Sequence, residues 1–512
     1  MRIRPAVPAL ALFLATLAAA QDSSELQKLR EEMLREMQAL RAEVQGLREQ
    51  NQELQRRVLG AEGSRSPGAP ATSVPSSFEH PAAPPAPSFA ATSSAPFHIG
   101  GQYRMMGSYA NFDWHQAAIG DEETRHFYNQ RLRLWSDVTP TERVRGHVQV
   151  EIGHIVWGQN LEFTKTYAGP KFSGGVDPDD RVGIELRRGY LEYTHEDLGQ
   201  FRIGIQDWQD LYGQTLASSD WDFNVGGLSW TKEFPDACDL RLRAGAFALW
   251  EGEAASADDA ALYALDATFR PAETLDLGMS VYVVDDDELY SYPTLAPYEG
   301  AWDLWTGPRG TLTLGDVRVN AFYLFNYGKR ESPGFEHAGH AGRIEGIVAL
   351  GAATLKVQGI YTTGEDDPSD LDSDEFRTIA QGARDNFGSQ GYWNYLVITS
   401  PHGPSDVADL GVGLQNRGLG LLTLQTRFDF PIAAGLDGFG AVGALWSDVD
   451  NPVSNARYMG TEVAGGIALD LGGGLIVETG AAGLFTGPFY ESSGGLDPDD
   501  LFEVYLRTQL EF

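Results

Sequence analysis

The 512-residue chain has one cysteine, Cys238, so no intramolecular disulfide can staple it. It contains no run of about 20 consecutive apolar residues beyond its first segment, which excludes a bundle of membrane helices. Basic residues are scarce: 38 Lys and Arg stand against 72 Asp and Glu. The resulting formal charge of -34 excludes nucleic acid as a partner, because the phosphate backbone would repel it. Only 42% of residues are hydrophobic, yet aromatics reach 11% and glycines number 59. That mixture suits a barrel whose inside faces water and whose rims carry aromatic girdles.

Residues 1–20 read as a secretory signal peptide. Arg2 and Arg4 supply the charged start, Val7 to Leu17 an apolar core too short to span a bilayer, and Ala18-Ala-Ala20 the small-residue cleavage site. Residues 22–59 form a coiled-coil oligomerisation helix. Leu26, Met33, Leu40, Leu47 and Leu54 fall seven apart, and Met37, Val44, Asn51 and Val58 make the second series of the seam. Ser23 can cap the helix, Arg30 weakens its first turn, and Asn51 fixes register between chains. Peptide rules for this seam favour a dimer, whereas attachment to a barrel favours a homotrimer, the state expected here. Residues 60–96 hold eight prolines among Ala and Ser, an extended spacer rather than a domain. The helical rod would be about 50 Å long, placing it in the periplasm and within reach of peptidoglycan.

From Phe97 to Phe512 the texture becomes alternating segments broken by two kinds of connection. Short breaks include 139–142, 195–199, 234–239, 270–274, 314–316, 350–352 and 471–474; long polar ones include 111–124, 156–182, 207–223, 285–301 and 364–417. The two kinds alternate, as they do when antiparallel strands have tight turns on one rim and large loops on the other. The segments number about 18, an even count that puts both ends of the barrel on the short-turn rim. The last strand shows the period most clearly. Phe502, Val504, Leu506, Thr508, Leu510 and Phe512 share one face, and Glu503, Tyr505, Arg507, Gln509 and Glu511 the other. The fold class is therefore all-β, a transmembrane antiparallel up-and-down barrel in the outer membrane, in contact with lipid and lipopolysaccharide. Acidic runs such as Asp285 to Glu288 and Asp497 to Asp500 fall in its loops; none has the spacing of a calcium-binding helix-loop-helix, and no metal or cofactor is expected.

Alternation also assigns side chains to lipid or lumen. With Leu132 and Leu134 outside, Arg131 and Arg133 point inward; with Val144, Val148, Val150 and Ile152 outside, Arg143, Arg145, His147, Gln149 and Glu151 do. By the same rule Arg188, with Tyr190 and Glu192, and Arg202, Arg241 and Arg243 face the lumen. An arginine on the lipid side at mid-membrane would cost roughly 2–4 kcal/mol, so the inward choice is forced. Guanidinium groups stay charged and match carboxylate and phosphate, so such a wall would draw anions. The competing reading is that these arginines pair with lumen acids, Glu151, Glu185, Glu192, Glu503 and Asp429, and only stiffen the wall. Tyr190, Phe247 and Tyr505 could stack against sugar faces. The connection 364–417, acidic first and aromatic from Phe387 to Tyr395, is the candidate constriction.

The layout of signal peptide, short coiled coil, Pro-rich spacer and barrel resembles trimeric substrate-selective porins with periplasmic coiled-coil extensions, such as the sucrose porins. The barrel, with Gln130-Arg-Leu-Arg-Leu134 near its start, is similar to the alginate-export barrels and to the phosphate-selective porins. That resemblance implies passive transport of small hydrophilic, anionic or sugar-like solutes. An enzyme is not expected: His147 and His154 have no nucleophile placed beside them by spacing. A tether holding the envelope through the coiled coil is the alternative. Nothing between Ala61 and Phe97 could fold into the plug of an energised transporter.

Overall fold

The period-two alternation of greasy and polar residues gives strands with one wet face and one oily face, and within a bilayer such strands are satisfied as a closed sheet. The computed structural model describes residues 96–112, 125–157, 173–174, 184–217, 223–250, 259–286, 300–330, 334–367, 372–379, 394–400, 410, 412–491 and 498–512. The expected signal peptide, coiled coil and nearly all of the spacer lie outside these residues.

Among the described residues eighteen long strands follow one another. They are β1 (Phe97–Ala110), β2 (Arg125–Thr141), β3 (Val144–Trp157), β4 (Ile184–His195), β5 (Gly199–Asp207) and β6 (Asn224–Phe234). Next come β7 (Leu240–Trp250), β8 (Ala260–Ala272), β9 (Leu275–Asp286), β10 (Ala301–Leu314), β11 (Val317–Arg330) and β12 (Phe335–Leu350). The last six are β13 (Ala353–Thr362), β14 (Leu421–Ala433), β15 (Leu436–Trp446), β16 (Tyr458–Asp470), β17 (Leu475–Thr486) and β18 (Leu501–Glu511). Each pairs antiparallel with its sequence neighbours, and β18 returns to β1 in register from Gln102 opposite Glu511 to Ala110 opposite Glu503. The barrel is closed and has no free edge. Phe512 completes the seam: its N–H donates to Gly101, the Gly101 N–H donates back, and its ring covers the bare backbone of Gly101.

The connections sort as the sequence implies. One rim carries the tight turns at 142–143, 196–198, 235–239, 273–274, 315–316, 351–352, 434–435 and 471–474. Gly315, at φ +59°, lets β10 reverse into β11 within two residues, a conformation that a side chain would oppose. The turn at 434–435 is one that alternation of break types did not single out. The other rim carries the longer connections, with 331–334 a short exception.

Burial follows the pleat. Val148, Leu191, Ile203, Leu228, Leu265, Leu424, Val463 and Leu506 are exposed on the outside, while Gln149, Glu151, Glu192, Gln206, Asp266, Gln425 and Glu462 are buried inside. An oily exterior around a polar interior is the architecture of outer-membrane barrels. The inner face departs from simple polarity in one respect. Leu262, Tyr282, Val284, Trp305 and Leu324 form one apolar cluster inside the barrel, and Leu421, Leu445, Met459, Leu484 and Leu501 belong to another. Inward-folded connections cover both, which is why these strands are apolar on two faces.

Candidate functional site: a lumen narrowed by inward segments

Three described pieces of the long connections lie inside the barrel. The first, residues 208–217 between β5 and β6, is shaped by Asp210. Its carboxylate accepts N–H groups from Tyr212 at 2.6 Å and Gln214 at 3.0 Å on one oxygen, and from Leu216 at 2.5 Å and Ala217 at 2.8 Å on the other. Burial raises this carboxyl from its ordinary 3.8 to about 6, against the pull of the four donors. The loop then crosses to the far wall. The Tyr212 hydroxyl donates to the Gly307 carbonyl on β10 at 2.6 Å. Gly213 takes φ +69°, and a Cβ there would stand 2.9 Å from Arg343 Nη1 on β12.

The second and third pieces come from the 363–420 connection, the candidate constriction. Residues 372–379 line β10 to β12: Trp305 Nε1 donates to the Arg377 carbonyl at 2.7 Å, and the Arg377 N–H donates to Asn326 Oδ1 at 3.0 Å. Gly339 permits this approach, since a Cβ there would lie 2.4 Å from the backbone of Phe376. Residues 394–400 line β12 to β16, with the Tyr395 hydroxyl donating to Glu345 and the Tyr395 N–H to Gln425 Oε1 at 2.9 Å. Of the aromatic stretch 387–395, residues 387–393 fall outside the described part.

The arginines singled out from the sequence are not equivalent. Arg131, Arg133, Arg188, Arg202 and Arg243 lie on the inner face of the wall. Arg145 is there too, partly exposed, with Asp137 Oδ1 2.7 Å away and His147 Nδ1 at 2.9 Å from the same oxygen. Arg143 sits in the turn 142–143, exposed, 3.5 Å from Glu196, and Arg241 sits near the same rim, 3.8 Å from Glu233. These two stand apart from the rest because the wall ends there. Arg202 is 2.6 Å from Glu192 and its guanidinium lies 4.8 Å from the ring centre of Tyr190; Arg188 donates to Asn224 at 3.2 Å. Arg243 is bound to Asp266 and packs 4.3 Å over the ring of Trp208. A cavity of about 360 Å³ beside this loop is lined by Arg202, Trp208, Ser229, Thr231, Arg243 and Asp266 among others.

The densest group surrounds Glu151. Its Oε2 lies 2.5 Å from Arg133, 2.8 Å from Arg187 and 3.9 Å from Arg131. Arg104 stands directly opposite Arg131 on the neighbouring strand. Arg187 escaped the alternation rule because β4 carries a bulge opposite Gln149 and Val150, which turns an extra residue inward. A signal existed: Leu186 and Leu191 both face out, yet they are five apart, so one residue between them must break the period. Elsewhere on the wall two cations share one acid, as Lys356 and Arg427 do at Asp429, 2.9 and 2.8 Å away. Phe247 and Tyr505, proposed as stacking platforms, are buried inside, Phe247 against Trp208 and Tyr505 donating to Glu478 at 2.8 Å.

No protein-family model matches the chain, and no curated protein matches it. Solved structures do. OpdO of Pseudomonas aeruginosa aligns with a TM-score of 0.50 at 14% identity, covering 81% of this chain and 97% of that one. OccK8 (OprE) of the same organism gives 0.49 at 13%, covering 81% and 98%, and OccAB4 of Acinetobacter baumannii 0.49 at 10%, covering 81% and 98%. These are outer-membrane porins of the OccK/OprD type rather than of the alginate, phosphate or sucrose types. At such identity what is shared with OpdO is the fold, a closed barrel of 18 antiparallel strands.

Proposed function

We propose that the protein is an outer-membrane porin that passes small hydrophilic solutes by diffusion and favours anions. The observation that carries this reading is the Glu151 group, where three guanidinium groups share one carboxylate within 3.9 Å. Three guanidinium groups gathered on one carboxylate concentrate positive charge on this part of the wall, and Lys356 and Arg427 gather likewise at Asp429. The group belongs to a lumen narrowed by residues 208–217 and 394–400, so a solute must pass close to the wall, where its charge is felt. Arg133, Arg188, Arg202 and Arg243 line the proposed pathway, with the enclosed Arg131 and Arg187 behind them in the wall. Carboxylate or phosphate groups fit the planar fork of arginine, and the hydroxyls and amides beside Trp208 suit a hydroxylated, sugar-like body.

In the same proposal residues 22–59 join three barrels through a periplasmic coiled coil and reach toward peptidoglycan, while the oily belt contacts lipid and lipopolysaccharide. The deciding experiment is the reversal potential of single channels in planar bilayers under a potassium chloride gradient. Chloride preference that weakens when Arg131, Arg133 and Arg187 are replaced by glutamine is the expected result. Cation preference unaffected by those replacements would defeat the proposal.

A further inference from the structure

We infer that Glu462 sets the width of the channel, by anchoring residues 394–400 against the inner wall; the inference rests on the porin reading above. Glu462 stands on the inner face of β16 and is fully enclosed. Its Oε1 accepts the N–H groups of Val397 at 2.6 Å and Ile398 at 2.9 Å, and its Oε2 accepts the Thr399 N–H at 2.9 Å and the Thr399 hydroxyl at 2.8 Å. All four acceptor positions of the carboxylate are used. Three successive backbone N–H groups form a small concave cradle for an anion, and here a wall carboxylate fills it.

The segment's other attachments do not replace this one. The Ile398 and Thr399 carbonyls accept N–H groups from Leu410 and Val412, in the same connection rather than in the wall. Tyr395 reaches β12 through Glu345 and β14 through Gln425, but it lies at the start of the segment. Leu396 meets the position a side chain at Gly443 on β15 would occupy, and Val397 and Ile398 join the apolar cluster with Leu445, Met459 and Leu484. Those contacts depend on a backbone whose N–H groups are satisfied. Without Glu462 three amides would be buried with no acceptor, and the segment gains by leaving the wall for water. From β12 to β16 it spans four strand spacings, roughly 19 Å of circumference. Its release removes a layer of chain from that arc.

The test uses the full-length protein in planar bilayers. Glu462→Ala and the isosteric Glu462→Gln, which sets an amide donor against the N–H cradle, are compared with Thr399→Val, which removes one of the four donors and leaves the wall intact. For the two Glu462 variants the expected result is a rise in unitary conductance, on the order of 1.5- to 2-fold as one chain thickness is withdrawn, with admission of larger polyethylene glycols. Thr399→Val shifts both in the same direction by less. Retention of the heat-modifiable, folded band in gel electrophoresis shows that the barrel itself is intact; Glu462→Gln and Thr399→Val serve if Glu462→Ala does not fold. Folded variants with wild-type conductance and polymer cut-off overturn the inference, as does a change in ion preference alone, which would mark Glu462 as a charge rather than an anchor. A wild-type protein that forms no conducting pores defeats the porin reading, and this inference with it.

Discussion

Replacing Glu151 by glutamine separates the structural from the selective role of the arginine wall. The carboxylate holds Arg133 and Arg187 at 2.5 and 2.8 Å, and the Arg187 side chain is 1% exposed. A unit charge pair at about 4 Å in surroundings of effective dielectric constant near 20 is worth about 4 kcal/mol. Taking away one partner of a buried pair costs about 3–5 kcal/mol, because the remaining charge stays buried. Glu151→Gln should therefore lower the unfolding free energy in detergent by about 3–5 kcal/mol. Adding Arg187→Met should recover part of this, since the most enclosed of the three cations around that carboxyl is then gone. The same change adds one uncompensated positive charge to the lumen. A permeating anion passing within about 4–8 Å of it, in water, gains about 0.5–1 kcal/mol, or roughly 2- to 5-fold in anion permeability, while a cation is disfavoured by a similar factor. Urea titration of the folded barrel reads the first effect and the reversal potential under a salt gradient the second. A variant as stable as wild type, or one that shifts toward cations, would refute the reasoning.

Further outcomes follow from other sites. Gly339→Val should force residues 372–379 off β12, because its Cβ falls within 2.4 Å of the Phe376 backbone; a loss of about 1–3 kcal/mol in stability is expected, measured by urea unfolding. Asp210 binds its proton more readily in the folded protein than in the unfolded chain, with its carboxyl at about 6 rather than 3.8. Its contribution to stability is thus greatest below about pH 4, declines as pH rises to about 6, and is flat above. Asp210→Asn should remove this component, so that the stability difference between wild type and variant changes across that window and nowhere else, as read from unfolding curves at several pH values. Deleting residues 22–59 should convert cross-linked oligomers to monomers while each barrel keeps its unitary conductance; persistence of the oligomer would show that the barrels associate by themselves.

The barrel was legible in the sequence because its rule is local. Hydrocarbon outside and water inside impose a period of two on every strand, and an insertion rim and a loop rim impose two lengths of connection. From those alone came the strand number, the assignment of Arg131, Arg133, Arg202 and Arg243 to the inner face, and the closing role of residues 502–512. The rule failed where its premises did. Arg187 was hidden by a bulge, which is decided by pairing with β3 and not by β4 itself. Arg143 falls in a turn and Arg241 at the end of its strand, where the wall stops and alternation no longer sorts lipid from lumen.

What the sequence by itself determined is the wall: a period read residue by residue needs no knowledge of distant neighbours. What only the tertiary structure decided is the passage through it. Asp210 capping its own loop, Tyr212 reaching Gly307, and Glu462 holding Thr399 join residues up to 95 positions apart. No periodicity encodes such partners, because they are chosen by which loop can fill the inside of a closed cylinder and still find acceptors for its buried N–H groups.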